Sequence, residues 1–261
     1  VNPHEVYVDL SDRLYRMKTD LLNQMRLAGQ PWSVSEPAQA AGIAALRAEG
    51  FREQTIDLVD RERAFLKKKL EDAVWVAHSL FERGKTSGSS ANMSFLHNGN
   101  VYITASGTCF GTLTADDFAV VSMDGESLNG KKASKEFTLH KYYYEKDSKV
   151  QAVVHTHGPY AVLWSCRHFE KDSDIIPAYT PYLGMKVGKI GLVPYGKPGS
   201  DTLFDAFKNS LPNGDAYLLK NHGGIVGGKT IMDAFFGIEE LEESAKIACM
   251  IETDAKYDKI G

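Results

Sequence analysis

A chain of 261 residues with a formal net charge of −4 sits near the upper end of what one hydrophobic core supports, and without a long Lys/Arg stripe it carries no nucleic-acid footprint. Its 43% apolar and 25% charged residues are ordinary for a globular protein, and no apolar run approaches the roughly 18 residues of a membrane-spanning helix. Cys109, Cys166 and Cys249 are odd in number and lack C-x-x-C spacing, and no signal-peptide core opens the chain, so the expectation is a cytoplasmic protein with no membrane partner and no disulfide framework.

The first 60 residues are polar and interrupted by Pro31 and Pro37, with a loop-like segment at 29–33. A helical pattern over 38–49 ends at Gly50, which suits a C-cap. This part is expected to be an N-terminal extension, helical and packed on a main domain that spans 61–261. That domain opens with an amphipathic helix over 61–83, where Leu66, Leu70, Ala73, Ala77 and Leu80 recur at three- and four-residue steps and Gly84 stops the run. Two Gly/Ser-rich turns follow, at 87–94 and 104–108. Short strands are expected at 101–104, 118–122, 150–154, 216–219 and 225–226, with a helix over 135–145 among them. The last element is a helix after Thr230, capped by Thr230-x-x-Asp233, with Ile231, Ala234, Phe235, Ile238, Leu241, Ala245 and Ala248 on one face. Interleaved helices and short strands predict an α/β fold, a three-layer α/β/α sandwich around a mixed or antiparallel central sheet.

The chemistry concentrates at His155-Thr156-His157-Gly158. Alternate residues of a strand point to one face, so His155 and His157 project together and can grip one divalent ion. Neutral imidazole suits zinc, and a catalytic zinc takes three protein ligands with one position open. His222, in Asn221-His222-Gly223-Gly224 after an apolar strand, is the candidate third ligand. Taken singly, each of these is more often an ordinary buried or turn histidine. Glu136 stands at a helix start, where a carboxylate often only complements the helix dipole. His140, four residues on, shares its face and is a rival ligand ranked below His222. His78, on the long helix, and His4, His97 and His168, in polar surroundings, are read as structural or solvated. The hydroxyl-rich turns can cradle a phosphate, but neither matches a nucleotide-binding pattern.

In order, a Ser/Gly/Asn turn, Ile-Thr-x-Ser-Gly, Ser-x-Glu, His-x-His and Asn-His-Gly before a terminal helix resemble the class II aldolase/adducin family over about 61–252. The resemblance implies a zinc ion, one per subunit, held by His155, His157 and His222, with another divalent cation as a substitute. It makes Glu136 the catalytic acid/base, able to ligate the metal when substrate is absent. It places Asn92, Ser106, Gly107, Ser134 and Lys135 around the phosphate of a small phosphorylated sugar or sugar acid. Two positions depart from the family: Ala91 stands where Gly is usual, and Lys135 replaces the second serine of a pair. Segments 176–188 and 193–199 look nearest to the 3-oxo-tetronate 4-phosphate decarboxylase branch, and Tyr182, or else Tyr179, is the proton-donor candidate. The implied reaction is C–C cleavage through an enediolate stabilised by the ion. Fuculose-phosphate-type aldol cleavage ranks first, decarboxylation next and 4-epimerisation third. The implied assembly is a homotetramer with sites between subunits. An adducin-like interaction module without the metal site is the non-enzymatic rival.

Overall fold

The computed structural model describes residues 36–253 together with Thr19, Asp20 and Gln24. The expected loop at 29–33 and His4 lie outside the described residues. The chain divides into two compact units, Val1–Arg61 and Glu62–Gly261. In the first, α1 (Glu36–Arg47) is followed after Ala48 by the start of α2 (Glu49–Glu82), which runs on past Arg61. Gly50 is therefore inside a helix and not its C-cap. A glycine there costs only about 1 kcal/mol against alanine, too little to end a helix of 34 residues. Gly84 is a true stop, with φ of +66°, a left-handed conformation that glycine adopts freely.

The second unit holds a seven-stranded sheet in the order β3-β2-β1-β4-β7-β6-β5. Its strands are β1 (Asn92–His97), β2 (Asn100–Thr104), β3 (Phe118–Val121), β4 (Ala152–Thr156), β5 (Ile190–Val193), β6 (Ala216–Leu219) and β7 (Gly223–Gly228). Only β5 and β6 pair in parallel; every other pair is antiparallel. Between the strands run α3 (Phe137–Lys146), α4 (Pro159–Ser165), α5 (Tyr182–Lys186) and α6 (Asp201–Ser210), and α7 (Ile231–Thr253) closes the described chain.

Strand alternation sorts the core onto two faces. Met93, Phe95, Val154, Leu218 and Val226 pack with Ala73, Ala77 and Leu80 of α2, Trp164 of α4, and Phe235, Ile238 and Leu241 of α7. Ile103, Val153, Tyr217, Leu219 and Ile225 face the other way, against Leu139 and Tyr143 of α3 and Leu203 and Phe207 of α6. The three-layer α/β/α sandwich with a mixed sheet is thus present. Three expectations shift. β4 lies two residues later than expected, which carries His155 into the strand. β5 was not foreseen. The last three residues of the supposed turn at 87–94 belong to β1, a buried inner strand. Its polar Asn92 and Ser94 are compatible with burial because α3 hydrogen-bonds both.

Candidate metal centre

The site lies on the α3/α6 side of the sheet, where β4 ends and β7 begins. Those two strands are registered with His155 opposite Ile225 and Thr156 opposite Gly224. His155 points to the same face as Val153, and His157 follows one residue past the strand. His222 comes from the turn between β6 and β7, where Asn221 takes a left-handed φ of +55°. A side chain on Gly223 is impossible, since a Cβ would lie 2.3 Å from the Thr156 carbonyl oxygen. The β6–β7 turn can therefore close down on β4 and bring His222 over the pair. The three ring centroids stand 4.6–5.0 Å apart, and one ring nitrogen from each histidine falls within 4.8 Å of the others.

The protonation pattern follows from the partners. His155 Nδ1 is 2.9 Å from the Gly224 carbonyl, which can only accept, so Nδ1 carries the hydrogen and Nε2 turns a lone pair into the site. His155 Nε2 and His157 Nε2 are 3.1 Å apart, near the ~3.3 Å expected for two nitrogens about 2.0–2.1 Å from one tetrahedral zinc. Burial holds all three rings neutral. The pKa of His155 lies well below the ordinary value, through burial first and then its histidine neighbours. That of His157 falls to about 4 from burial, with His222 and Lys135 adding to it. His222 is lowered by burial and partly offset by Glu136.

Glu136 is the N-cap residue of α3, yet its side chain makes no cap hydrogen bond to the helix, which removes the dipole-only explanation of its position. The carboxylate instead turns inward, 3% exposed. Oε2 accepts from Asn92 Nδ2 at 2.9 Å and lies 3.4 Å from His155 Nε2; Oε1 lies 3.4 Å from His222 Nε2. Among the described residues, Glu136 Oε1 and both nitrogens of His222 are buried without a hydrogen-bond partner. Neutral rings and a carboxylate with orphaned lone pairs aimed at one point fit a cation and little else.

The cleft over this cluster has a volume of about 460 Å³. Asn92, Ser106, Gly107, Ser134 and Lys135, the expected substrate residues, all line it, together with Ser89, Ser90 and Thr108. The segments 105–108 and 132–134 are tied side by side by Ser106 N to Lys132 O (2.9 Å) and Ser134 N to Thr104 O (3.2 Å). Gly107, at φ +86°, makes the turn that leaves its backbone open to the cleft. The Lys135 stem lies over Gly199, where a Cβ would come within 2.9 Å of its Cδ. Tyr182 and Tyr179 are not brought to the cleft: they are 55% and 42% exposed and do not line it. His140 is not brought into the cluster either, because both its nitrogens are engaged by Asn92 and Ser94. His97 is buried between the rings of Phe65 and Tyr102, so of its two expected readings the structural one holds.

Sequence reasoning missed Glu242. Its buried carboxylate on α7 accepts from the backbone of Tyr160 (3.0 Å) and Ala161 (2.8 Å) at the start of α4, and it fills the space where a Cβ on Gly158 would stand. It thereby holds the turn that follows His157. A signal was available: Glu242 falls on the same helical stripe as Ile238, Leu241 and Ala245, where an acid has no reason to be unless it is paired.

The chain belongs to the class II aldolase and adducin N-terminal domain family, whose profile matches residues 71–249. It is similar to the 3-oxo-tetronate 4-phosphate decarboxylase of Escherichia coli (strain K12), with 37% identity over 68% of this chain and 84% of that one. An L-fuculose phosphate aldolase of Methanococcus maripaludis is 32% identical over 67% and 93%. Among solved structures, YgbL of Klebsiella pneumoniae, described as an aldolase, epimerase or decarboxylase, aligns with a TM-score of 0.69 and 36% identity over 72% of this chain and 91% of that one. The protein is a lyase of this family.

Proposed function

We propose that the protein is a divalent-metal-dependent carboxy-lyase acting on a phosphorylated 3-oxo sugar acid, with zinc as the resident ion. The observation that carries this reading is the convergence of three neutral imidazoles and an orphaned carboxylate oxygen at the floor of a hydroxyl-lined cleft. The 37% identical decarboxylase supports decarboxylation among the family's reactions, the reverse of the order expected from the sequence, where aldol cleavage came first. His155, His157 and His222 would hold the ion, which would supply Lewis acidity toward a carbonyl oxygen of the substrate. Ser106, the Gly107 backbone, Ser134 and Lys135 bind the phosphate, and the second amide hydrogen of Asn92 remains for substrate. Glu136 then moves the proton at the carbon that loses its carboxylate.

Aldol cleavage of a phosphorylated ketose, like this decarboxylation, leaves an enediolate, so it is the second reading, supported by the 32% identical aldolase. The tetramer that the resemblance implies gives exposed Tyr182 a role, as a residue presented to a neighbouring subunit's cleft. The test is metal analysis of the purified protein together with assays on 3-oxo-tetronate 4-phosphate and L-fuculose 1-phosphate. We expect about one zinc per chain and CO2 released from the acid. Turnover of the ketose alone would move the assignment to aldolase; a metal-free protein inert on both would leave the adducin-like interaction module.

A further inference from the structure

Glu136, His140 and Tyr144 sit at four-residue steps, so they form one stripe along α3 from its N-cap. Asn92 and Ser94 are alternate residues of β1 and point to one face of the sheet. The stripe lies on the pair and the five side chains join end to end. Tyr144 Oη is 2.5 Å from Ser94 Oγ, Ser94 Oγ is 2.7 Å from His140 Nδ1, His140 Nε2 is 2.6 Å from Asn92 Oδ1, and Asn92 Nδ2 is 2.9 Å from Glu136 Oε2. His140 and Ser94 are wholly buried; Asn92, Tyr144 and Glu136 are nearly so.

Hydrogen-bonding chemistry gives this chain a single direction. An amide oxygen only accepts, so His140 Nε2 must carry a hydrogen and donate to Asn92 Oδ1. The ring is neutral, since burial takes its pKa down to about 3, so Nδ1 is a bare acceptor. Ser94 donates to it, and Tyr144 donates to Ser94. The Asn92 amide is then fixed with its NH2 toward Glu136. Were it to flip, two carbonyl-type oxygens would face each other in a buried site, and His140 Nε2–H would face an NH2. We infer that His140 is a positioning residue for proton transfer: by locking the Asn92 amide it ties down Glu136 Oε2 and leaves Oε1 as the one oxygen free to take and return a proton. Oε1 is indeed the carboxylate oxygen without a hydrogen-bond partner. The inference rests on the proposed acid–base role of Glu136.

Dihydroxyacetone phosphate is the probe, being what a 3-oxo-tetronate 4-phosphate becomes when the C1–C2 electron pair stays on C2, CO2 leaves and a proton takes its place. In D2O, Glu136 would remove one hydrogen from the hydroxymethyl carbon and return a deuteron, with no other change to the molecule. Zinc-loaded wild type should exchange that hydrogen, and Glu136→Gln should not. His140→Leu should slow exchange about 10–100-fold, the scale of a mispositioned catalytic group, with zinc content unchanged. His140→Gln, whose side-chain amide can donate to Asn92 Oδ1, should restore most of the rate. Exchange at the wild-type rate in His140→Leu, with Glu136→Gln inactive, would overturn the positioning role alone. So would loss of zinc together with activity in His140→Leu, which would make the network structural. No exchange in wild type would overturn the reading of Glu136 and this inference with it. Independently of any variant, 15N NMR of the zinc-loaded wild type should show His140 as a neutral Nε2–H tautomer from pH 5 to 8; an Nδ1–H tautomer would overturn the inference.

Discussion

Glu136 holds one oxygen against Asn92 and keeps the other beside His222, so its replacement by glutamine preserves shape and removes the carboxylate able to take and return a proton. In Glu136→Gln, kcat should fall by about 10²–10⁴-fold while zinc, measured by elemental analysis, stays bound to the three histidines. His155→Ala should lose both metal and activity, because it removes a ring whose tautomer is already set by Gly224. Near wild-type turnover in the glutamine variant would reduce Glu136 to a helix-start carboxylate. His140 sets a pH dependence. The unfolded chain protonates this ring below about 6.5, whereas the folded protein resists until about 3. The unfolded state therefore binds more protons in between, and stability falls as pH drops through that window. From pH 6.5 to 5 this one group accounts for roughly 2 kcal/mol. Denaturant midpoints of metal-free protein should fall over that range by less in His140→Gln than in wild type; parallel curves would contradict the assignment. The histidine pair was legible beforehand because a period of two is local. The partners of His140 were not, because they depend on how α3 registers against a strand that composition had disguised as a turn.

At the scale of elements, the first turn of α4 is held by a side chain 82 positions away, Glu242 on α7, which accepts from Tyr160 and Ala161. A carboxylate at a helix N-terminus complements both the free N–H groups and the dipole. Glu242→Leu should lower stability in urea melts by about 1–3 kcal/mol, the cost of two stranded donors. Gly158→Ala should do similar damage by forcing a Cβ to within 2.3 Å of the same carboxylate. Unchanged midpoints in both would show that the contact carries no weight. Helices with long apolar stripes, the later part of α2 and α7, could be read from their period. Glycine was the less reliable mark: Gly84 ends a helix because its φ is positive, whereas Gly50 leaves the helix unbroken. β1 and β5 escaped because one carries polar residues satisfied by another element and the other, Ile190–Val193, is interrupted by Gly191.

Across the whole molecule, among the described residues no helix is long and apolar enough to cross a membrane, and the family's match falls within the second compact unit. A chain beginning at Glu62 should therefore bind zinc with the stoichiometry of the full protein and keep its activity. Loss of zinc binding in that chain would give the first 61 residues a part in the site. Chelation should lower the melting temperature and zinc should restore it, since an ion at a thousand times its dissociation constant adds about 4 kcal/mol to the folded state. The seam where β4 meets β7 has a further consequence, one of timing. His157 and His222 are separated by 64 intervening residues, and only the paired β4–β7 ladder brings them together. A newly made chain offers an ion just the His155–His157 pair; the third ligand arrives when that long loop has closed. On the proposed ligand set metal capture would come late in folding, so zinc should leave the refolding rate nearly unchanged and slow unfolding. The ion acts as a latch, and the protein should hold its metal longest where it is hardest to unfold.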